Sequence, residues 1–254
     1  MSDNFSPESY KTDSKPVWCA GCGDFAIYKS MTMAFSELKI PKDNIVLVSG
    51  IGCSSRLPGY FSTYGFNSVH GRALPIASGL KFARPDLTVM AVGGDGDGFS
   101  IGGGHILHTI RRNTSITYMV IDNNIYGLTK GQASPTTPQK HKLEKALAGP
   151  YDMPINPMHI VFSYGAPFLA RVNSTNIKMM SEVIQEALNY PGFAFIHCLA
   201  SCITYMGGEF NQFIKKRAYN LDEKGHDPAD HKSAYEIALN EQFAMGVIYK
   251  KPLD

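Results

Sequence analysis

Short apolar runs alternate with helical patterns along this chain, and no other feature of the sequence constrains the fold as strongly. The runs cover residues 44–50, 87–94, 115–122, 168–173 and 193–200. Nearly continuous apolarity is typical of parallel strands in a sheet covered on both faces. Helical patterns lie between the runs at residues 73–85, 101–113 and 175–192. We expect Ser174 or Thr175 to cap the last helix. The alternation predicts a doubly wound, mainly parallel α/β sheet.

The size of the chain suits a single domain. Its 254 residues are 44% hydrophobic and carry a formal net charge of +2, without a basic stripe for nucleic acid. We expect one domain over residues 1–254, with an N-terminal arm (1–30) and a C-terminal extension (203–254). No apolar stretch approaches the roughly 20 residues that span a bilayer, and the polar N-terminus has no hydrophobic signal core. We therefore expect a cytoplasmic protein without a membrane partner.

A glycine loop with two acids follows the second apolar run, in the sequence GGDGDG. The alternating Gly94, Gly96 and Gly98 do not have the spacing of a dinucleotide fingerprint, and the lysine of a P-loop is absent. Asp95 and Asp97 would repel a bare diphosphate. A divalent cation between acid and phosphate removes that conflict, and Mg²⁺ prefers such oxygen ligands.

A second polar loop, DNNIYGLTKGQ, follows the next strand and is expected at the same edge of the sheet. The pair of loops resembles the signature of thiamine diphosphate enzymes. This resemblance implies that the Asp95 carboxylate, the Asn123 carboxamide and the Ile125 carbonyl bind Mg²⁺. The alternative is a glycine turn and an asparagine-rich turn with no shared ligand.

The cysteines offer two metal-binding interpretations. A structural zinc site would use Cys19, Cys22, Cys198 and Cys202. An iron–sulfur cluster would use Cys19, Cys22, Cys53 and one late cysteine. Spacing does not decide between them, but Cys53 follows a strand and so lies at the same sheet edge as the two loops.

The ordered motifs together resemble the β subunit of 2-oxoacid:ferredoxin oxidoreductases. They span roughly residues 16–205 and read WCAGCGDF, SGIGCSSRLPGYF, HGRALPIASGLKFARPDL, GGDGDGFSIGGGH, DNNIYGLTKGQASPTT and ASCITY. The resemblance implies thiamine diphosphate, Mg²⁺ and one 4Fe-4S cluster bound by Cys19, Cys22, Cys53 and Cys202. Ala200 and Ser201 stand where the family has Ser-Pro, and the thiol stays in register. Cys198 is then a buried spare.

The resemblance also implies a reaction and partners. Members of the family oxidatively decarboxylate a 2-oxoacid to an acyl-CoA, or run the reverse carboxylation, and pass single electrons through the cluster to ferredoxin. The chain has no second α/β domain to supply the glutamate that activates the aminopyrimidine. We therefore expect an obligate α subunit, and an inactive chain without it.

Residues around the two loops are candidates for cofactor and substrate contacts. Lys130 stands where pyruvate-type relatives carry glycine and could pair with the second carboxylate of 2-oxoglutarate, with Leu128 shaping the pocket beside it. The predicted cofactor-binding residues are Gly52, Ser54, His70, Gly94, Asp95, Gly96, Asp97, Asn123, Ile125, Gly127 and Leu128. Possible anion contacts are Arg56 and Arg72. His105 is a candidate for the cofactor side of its helix, and His108 for packing.

The leading hypothesis is thus the β subunit of a 2-oxoglutarate:ferredoxin oxidoreductase. A pyruvate or broad-specificity enzyme of the same family is the first alternative. A thiamine diphosphate decarboxylase half, which needs no cluster of cysteines, and a zinc-stapled binding module are more distant ones.

Overall fold

A computed structural model describes residues 5–140, 153–240 and 242–253 of the chain. Its strands are β1 (Ile45–Ser49), β2 (Tyr64–Asn67), β3 (Thr88–Gly94), β4 (Thr117–Asp122), β5 (Ile125–Tyr126), β6 (Gln132–Ala133), β7 (Phe168–Asn173), β8 (Ala194–Leu199), β9 (Tyr219–Asn220) and β10 (Ala244–Lys250). Its α-helices are α1 (Asp24–Glu37), α2 (Ala73–Ala83), α3 (Gly103–Arg111), α4 (Pro157–Ser163), α5 (Ile177–Asn189), α6 (Glu209–Arg217) and α7 (His231–Asn240).

Eight of the strands form one sheet in the order β2-β1-β3-β4-β8-β7-β10-β9. Neighbours pair in parallel except β7 and β10, which are antiparallel. The five apolar runs of the sequence correspond to β1, β3, β4, β7 and β8. The predicted mainly parallel α/β sheet is therefore confirmed.

Helices cover both faces of the sheet, which explains why the strands are apolar throughout. Along β1, Ile45 and Leu47 pack in a core with α1 and α5, whereas Val46 and Val48 pack with α2, α3, α4 and α7 on the other face. Successive side chains of a strand point to opposite faces, so a sheet covered twice needs apolar residues at every position.

The three predicted helices are present, with one correction at a cap. Asn176 caps α5, and its side chain accepts a hydrogen bond from the Met179 amide at 3.1 Å. Capping by Ser174 or Thr175 was wrong. Asn173 accepts bonds from both the amide and the hydroxyl of Thr175, which keeps Thr175 in the preceding turn.

The C-terminal extension is part of the sheet. β10 pairs with β7, and its first five residues are buried. Within the described ranges, no helix combines the length and the apolarity needed to cross a bilayer.

Candidate functional site

A cavity of about 460 Å³ opens at the carboxyl ends of β1, β3 and β4. Ligands of open α/β sheets bind at this edge. Every residue predicted to contact the cofactor lines the cavity: Gly52, Ser54, His70, Gly94, Asp95, Gly96, Asp97, Asn123, Ile125, Gly127 and Leu128. The structure thus brings together four segments that are far apart in sequence, namely residues 51–54, His70, 94–97 and 123–132.

The Asp95 carboxylate at the end of β3 is 1% exposed and held from two sides. Its Oδ2 lies 2.6 Å from the Thr136 hydroxyl, and its Oδ1 accepts a bond from the Asn123 amide at 3.4 Å. Burial, reinforced by the nearby charge of Asp122, raises the pKa of Asp95 to about 7. The carboxylate is therefore fixed in place but costly to ionise without a cation.

Asp95 belongs to a buried hydrogen-bond network that includes Thr136 and Asp122. The Thr136 hydroxyl lies 2.8 Å from Asp122 Oδ1 as well as 2.6 Å from Asp95. One hydroxyl has one proton to donate, so a proton on one of the two carboxyls completes the pair of bonds. This geometry agrees with the raised pKa of Asp95.

The network continues to a buried histidine on β8. Nε2 of His197 lies 2.9 Å from Asp122 Oδ2, and Arg171 Nε donates to His197 Nδ1 at 3.4 Å. The ring therefore keeps its proton on Nε2 and donates it to Asp122. Burial lowers the pKa of His197, which favours this neutral form.

Sequence reasoning missed Thr136, Asp122, His197 and Arg171. A signal was present, because a histidine and an arginine stand inside two apolar runs that were predicted to be buried strands. They face each other directly in the register of β7 and β8. Buried charged side chains in strands need partners, and this need pointed to a polar network.

The turn after β4 carries Asn123 and Ile125, the other two predicted Mg²⁺ ligands, and both line the cavity. Asn123 Oδ1 accepts a bond from the Ile125 amide at 3.1 Å, and Asn124 adopts a left-handed φ of 59°. The Asn124 amide in turn donates to Asp122 Oδ1 at 3.0 Å. The Asn123–Ile125 turn is thereby tied to the network that holds Asp95.

The second acid of the glycine loop ties two other loops together. Asp97 Oδ1 accepts bonds from the backbone amides of Ile51 at 2.9 Å and Gly71 at 2.8 Å. The Asp97 carboxylate also occupies the space that a β-carbon on Gly50 would need. Asp97 therefore fixes the shape of the cavity wall.

Two buried polar atoms of the wall have no hydrogen-bond partner among the described residues: His70 Nδ1 and Asp97 Oδ2. Nδ1 of His70 lies 3.0 Å from the other oxygen of Asp97, without hydrogen-bonding geometry. Gly52, another lining residue, has a φ of 130°, and a β-carbon there would meet no atom within 4 Å. This part of the wall can therefore form further hydrogen bonds, through His70 Nδ1 and Asp97 Oδ2, and has room for a ligand.

The four cysteines predicted to bind a cluster converge next to the cavity. A β-carbon on Gly127 would lie 3.6 Å from Cys202 Sγ and 3.7 Å from Cys53 Sγ. The Thr204 hydroxyl donates to Cys19 Sγ at 3.2 Å, which joins the N-terminal arm to the loop after β8. Cys22 lies close enough to Cys53 for the two thiols to interact electrostatically.

Cys198 lies elsewhere. It is fully buried on β8, with its thiol 3.7 Å from the sulfur of Met180. In the described parts of the chain, no three histidine, cysteine or acidic side chains are grouped closely enough to hold a single metal ion. This arrangement does not favour the alternative zinc site that includes Cys198. In a cubane cluster, by contrast, each thiolate binds a different iron, so the ligands stand further apart.

Other predicted contacts lie outside the cavity. Lys130 is exposed in a left-handed turn with a φ of 79°, whereas its neighbour Leu128 lines the cavity. Arg72 donates to the carbonyls of Gly71 and Ile101. His105 faces a separate groove between α2 and α3, so the structure does not bring it to the cofactor side. The exposed Arg56 and His108 do not line the cavity either.

Known proteins share this architecture. Residues 50–198 match the family described as thiamine pyrophosphate enzyme, C-terminal TPP binding domain. The β subunit of 2-oxoacid:ferredoxin oxidoreductase 2 of Aeropyrum pernix is 44% identical over 222 residues, which cover 86% of this chain and 71% of that protein. This chain belongs to the 2-oxoacid:ferredoxin oxidoreductase β subunits. Its residues 202–253 match a second family, which describes the C-terminal part of the pyruvate ferredoxin oxidoreductase β subunit.

Two further relatives are named for 2-oxoglutarate. The 2-oxoglutarate oxidoreductase subunit KorB of Mycobacterium tuberculosis is 41% identical over 211 residues, or 83% of this β subunit and 57% of that chain. The solved 2-oxoglutarate:ferredoxin oxidoreductase of Magnetococcus marinus, with 2-oxoglutarate, coenzyme A and succinyl-CoA bound, superposes with a TM-score of 0.89. Its identity is 37%, over 99% of this β subunit and 87% of that chain. The predicted family, the oxidoreductase class and the thiamine diphosphate domain are confirmed, and these relatives agree with the predicted 2-oxoglutarate type.

Proposed function

We propose that this β subunit and an α subunit together oxidise 2-oxoglutarate, with coenzyme A, to CO₂ and an acyl-CoA, and deliver the two electrons singly to ferredoxin. One observation carries the proposal. A β-carbon on Gly127 would lie 3.6 Å from Cys202 Sγ, 3.7 Å from Cys53 Sγ and 3.9 Å from Asn123 Nδ2, so the thiols and the oxygen-rich end of the cavity meet at this glycine. A cofactor in the cavity and a cluster on the thiols would be neighbours.

The cavity suits Mg²⁺ and a diphosphate. Asp95, the Asn123 carboxamide and the Ile125 carbonyl form the hard oxygen set that Mg²⁺ prefers. The unpartnered His70 Nδ1 and the open space at Gly52 suit a polar ligand alongside. When bound there, thiamine diphosphate supplies the carbanion chemistry that protein side chains lack.

The chain's own residues position and shield this group. Thr136 and the Asp122–His197 pair hold the Asp95 carboxylate in one orientation, and such outer partners tune a metal ligand. The cavity mouth carries exposed apolar side chains: Ile51 is 44% exposed and Leu128 43%. Cover by another subunit would bury them and exclude water.

The thiols of Cys19, Cys22, Cys53 and Cys202 suit a 4Fe-4S cluster. They belong to three segments that meet at one place, and each can bind a separate iron. Burial raises the pKa of Cys53 to about 11, so the iron charges are what would keep this thiol ionised. The free state of all five cysteines suits a reducing, cytoplasmic compartment.

An α subunit would complete the catalytic centre. The acidic residues among the lining of the described cavity are Asp95 and Asp97, and both are engaged by hydrogen bonds in the wall. Asp95 belongs to the proposed Mg²⁺ ligands and Asp97 Oδ1 binds the amides of Ile51 and Gly71, so we assign neither to the aminopyrimidine. The glutamate that this chemistry needs would come from the partner.

Lys130 is proposed to select the substrate. It follows Leu128 by two residues in the loop that borders the cavity, and its ammonium group is exposed. A cation at that place could pair with the second carboxylate of 2-oxoglutarate, which pyruvate lacks.

The test is viologen reduction by the assembled αβ complex with coenzyme A and either 2-oxoglutarate or pyruvate. We expect reduction with 2-oxoglutarate, and a loss of at least about tenfold in kcat/KM for it in Lys130→Ala, since a charge-assisted contact would be removed. The exposed Lys232 provides the matched control Lys232→Ala, which should leave both substrates unaffected. Equal losses on both substrates would remove Lys130 from substrate selection.

A pyruvate enzyme is the second candidate. The observation in its favour is the family matched by residues 202–253, which is named for pyruvate. A higher kcat/KM for pyruvate than for 2-oxoglutarate in the wild-type complex would establish this alternative and exclude the first.

A further inference from the structure

The cysteines differ in their access to solvent. Cys19 is exposed, whereas Cys22, Cys53 and Cys202 are half-buried and Cys198 is buried. An electron that leaves the protein would therefore leave on the side of Cys19, which does not line the cavity.

A groove of about 470 Å³ lies on that side, between the start of α1 and the helices α5 and α6. Cys22, the exposed Phe25 and Lys29 line it from α1 and the turn before it, and Asn211 lines it from α6. No carboxylate belongs to the described lining of this groove. Lys29 is its charged residue.

Two further exposed cations belong to segments that adjoin the lining of the groove along the chain. Lys215 is exposed one helical turn after Asn211 and so on the same face of α6. Lys15 is exposed four residues before Cys19, although Asp13 in the same segment offsets part of its charge. None of Lys15, Lys29 and Lys215 forms an ion pair with a described acidic side chain.

Apolar side chains lie among these cations. Val17 is 67% exposed and Phe25 is 39% exposed. The Phe25 ring is supported edge-on by Trp18, with ring centroids 5.2 Å apart. A rigid aromatic centre within a charged border is typical of a transient protein interface.

We propose that this cysteine face, defined by Lys15, Val17, Cys19, Phe25, Lys29 and Lys215, docks a small acidic electron-carrier protein. The proposal rests on the proposed function, since it assumes a cluster on the four thiols. One electron passes from the reduced cluster to the oxidised carrier, with no bond made or broken. The lysines attract the carrier's carboxylates, and the apolar centre brings the two redox groups close together.

The experiment uses the assembled αβ complex and an acidic ferredoxin. The double variant Lys29→Glu/Lys215→Glu reverses two charges of the face. Its matched control is Lys42→Glu, because Lys42 is exposed in the turn before β1, at the opposite edge of the sheet. Binding of oxidised ferredoxin is measured by titration calorimetry, without turnover, and KM for ferredoxin is measured separately.

We expect the double variant to raise both Kd and KM for ferredoxin by at least about tenfold, and to weaken their dependence on salt. Viologen reduction should not fall, because a small cationic dye does not need the lysines. Lys42→Glu should leave ferredoxin binding unchanged.

Three results would overturn the proposal. They are unchanged ferredoxin binding in the double variant, an equal loss in Lys42→Glu, or dissociation of the α subunit in the double variant, which would make the face an interface between the subunits. If the wild-type complex fails to reduce viologen with any 2-oxoacid, the proposed function fails instead. Calorimetry on the oxidised proteins still reports on docking.

Discussion

The two ends of the proposed electron path are built differently. At the cavity, Asp95, Asp122, Thr136 and His197 are each buried and joined by hydrogen bonds of 2.6 to 2.9 Å. The four thiols predicted to bind a cluster have fewer hydrogen bonds among the described residues: Cys22 contacts Asp24, and Cys19 accepts a bond from Thr204. The polar groups at the cavity therefore form one joined network, whereas each of these thiols has at most one such bond.

Electrostatics sharpens this difference. Burial raises the pKa of Cys22 and of Cys53, so these thiols hold their protons at neutral pH, and the proposed cluster would have to displace them. Asp95 has a pKa raised only to about 7, within reach of neutral pH. Metal binding at the cavity therefore requires only a small change in the ionisation of Asp95. Metal binding at the thiols requires a large change, because Cys22 and Cys53 must lose their protons.

The largest effect that would separate the two ends is expected from Asp95→Asn. The amide keeps the shape but removes the charge that Mg²⁺ needs, so Mg²⁺-dependent binding of thiamine diphosphate to the αβ complex should fall by more than the roughly 10–100-fold typical of outer-shell partners. Calorimetric titration measures the affinity. Iron content should stay at the wild-type level. A joint loss of iron and cofactor would show that the two ends are not independent.

The reverse experiment uses two cysteines as a matched pair. Cys22→Ser should abolish iron binding in anaerobically purified protein, because serine is a poor ligand for a cluster iron. Cys198→Ser should retain full iron content and lose only about 1–3 kcal/mol of the free energy of unfolding, since it buries a hydroxyl without a designed partner. Iron analysis and chemical denaturation measure the two outcomes. If Cys198→Ser loses iron and Cys22→Ser does not, the assignment of the cluster to Cys19, Cys22, Cys53 and Cys202 is refuted. A ligand set that includes Cys198 would then be favoured.

The sequence was a better guide to the cavity than to its support. Apolar runs located the five central strands, and the rule that ligands bind at strand ends brought Asp95 and Asn123 together. Thr136 is brought to Asp95 by the two-residue strands β5 and β6, whose pairing no periodicity announces. The edge strand β2 was also missed, as were β10 and β9 at the other end of the sheet. β2 is wholly exposed, so its sequence lacks the apolar pattern of a buried strand.

The two acids of the glycine loop also show what cannot be predicted from sequence alone. Asp95 and Asp97 look equivalent in sequence, and both line the cavity. Only the structure shows that Asp97 binds the amides of Ile51 and Gly71, two residues from separate loops. Such tertiary roles depend on which loops meet, and this is not encoded in local spacing.

A smaller effect is expected from the far end of the network. His197→Ala removes the donor to Asp122 and should weaken Mg²⁺–thiamine diphosphate binding by about 10–100-fold. His197→Gln, which retains a donor, should recover part of the affinity. The control variant is His159→Ala. His159 lies on α4 and packs against the Tyr235 ring, outside the network of Asp95. If His197→Gln and His197→Ala bind Mg²⁺–thiamine diphosphate equally weakly, His197 contributes volume to the core and does not position Asp95.

The smallest effect, at most about tenfold for each unit of pH, is a pH dependence attributed to Asp95. Its pKa rises from 3.8 in the unfolded chain to about 7 in the folded protein, so the folded state binds the extra proton between these values. The free energy of unfolding of the metal-free protein should therefore fall, through this group, as the pH rises from about 4 to about 7. Binding of Mg²⁺ requires the ionised carboxylate, so Mg²⁺–thiamine diphosphate affinity should change in the opposite sense and weaken by up to about tenfold per pH unit below 7. Denaturation of wild-type and Asp95→Asn proteins across this range isolates the stability contribution by difference. A difference curve without slope would mean that a group other than Asp95 holds the proton.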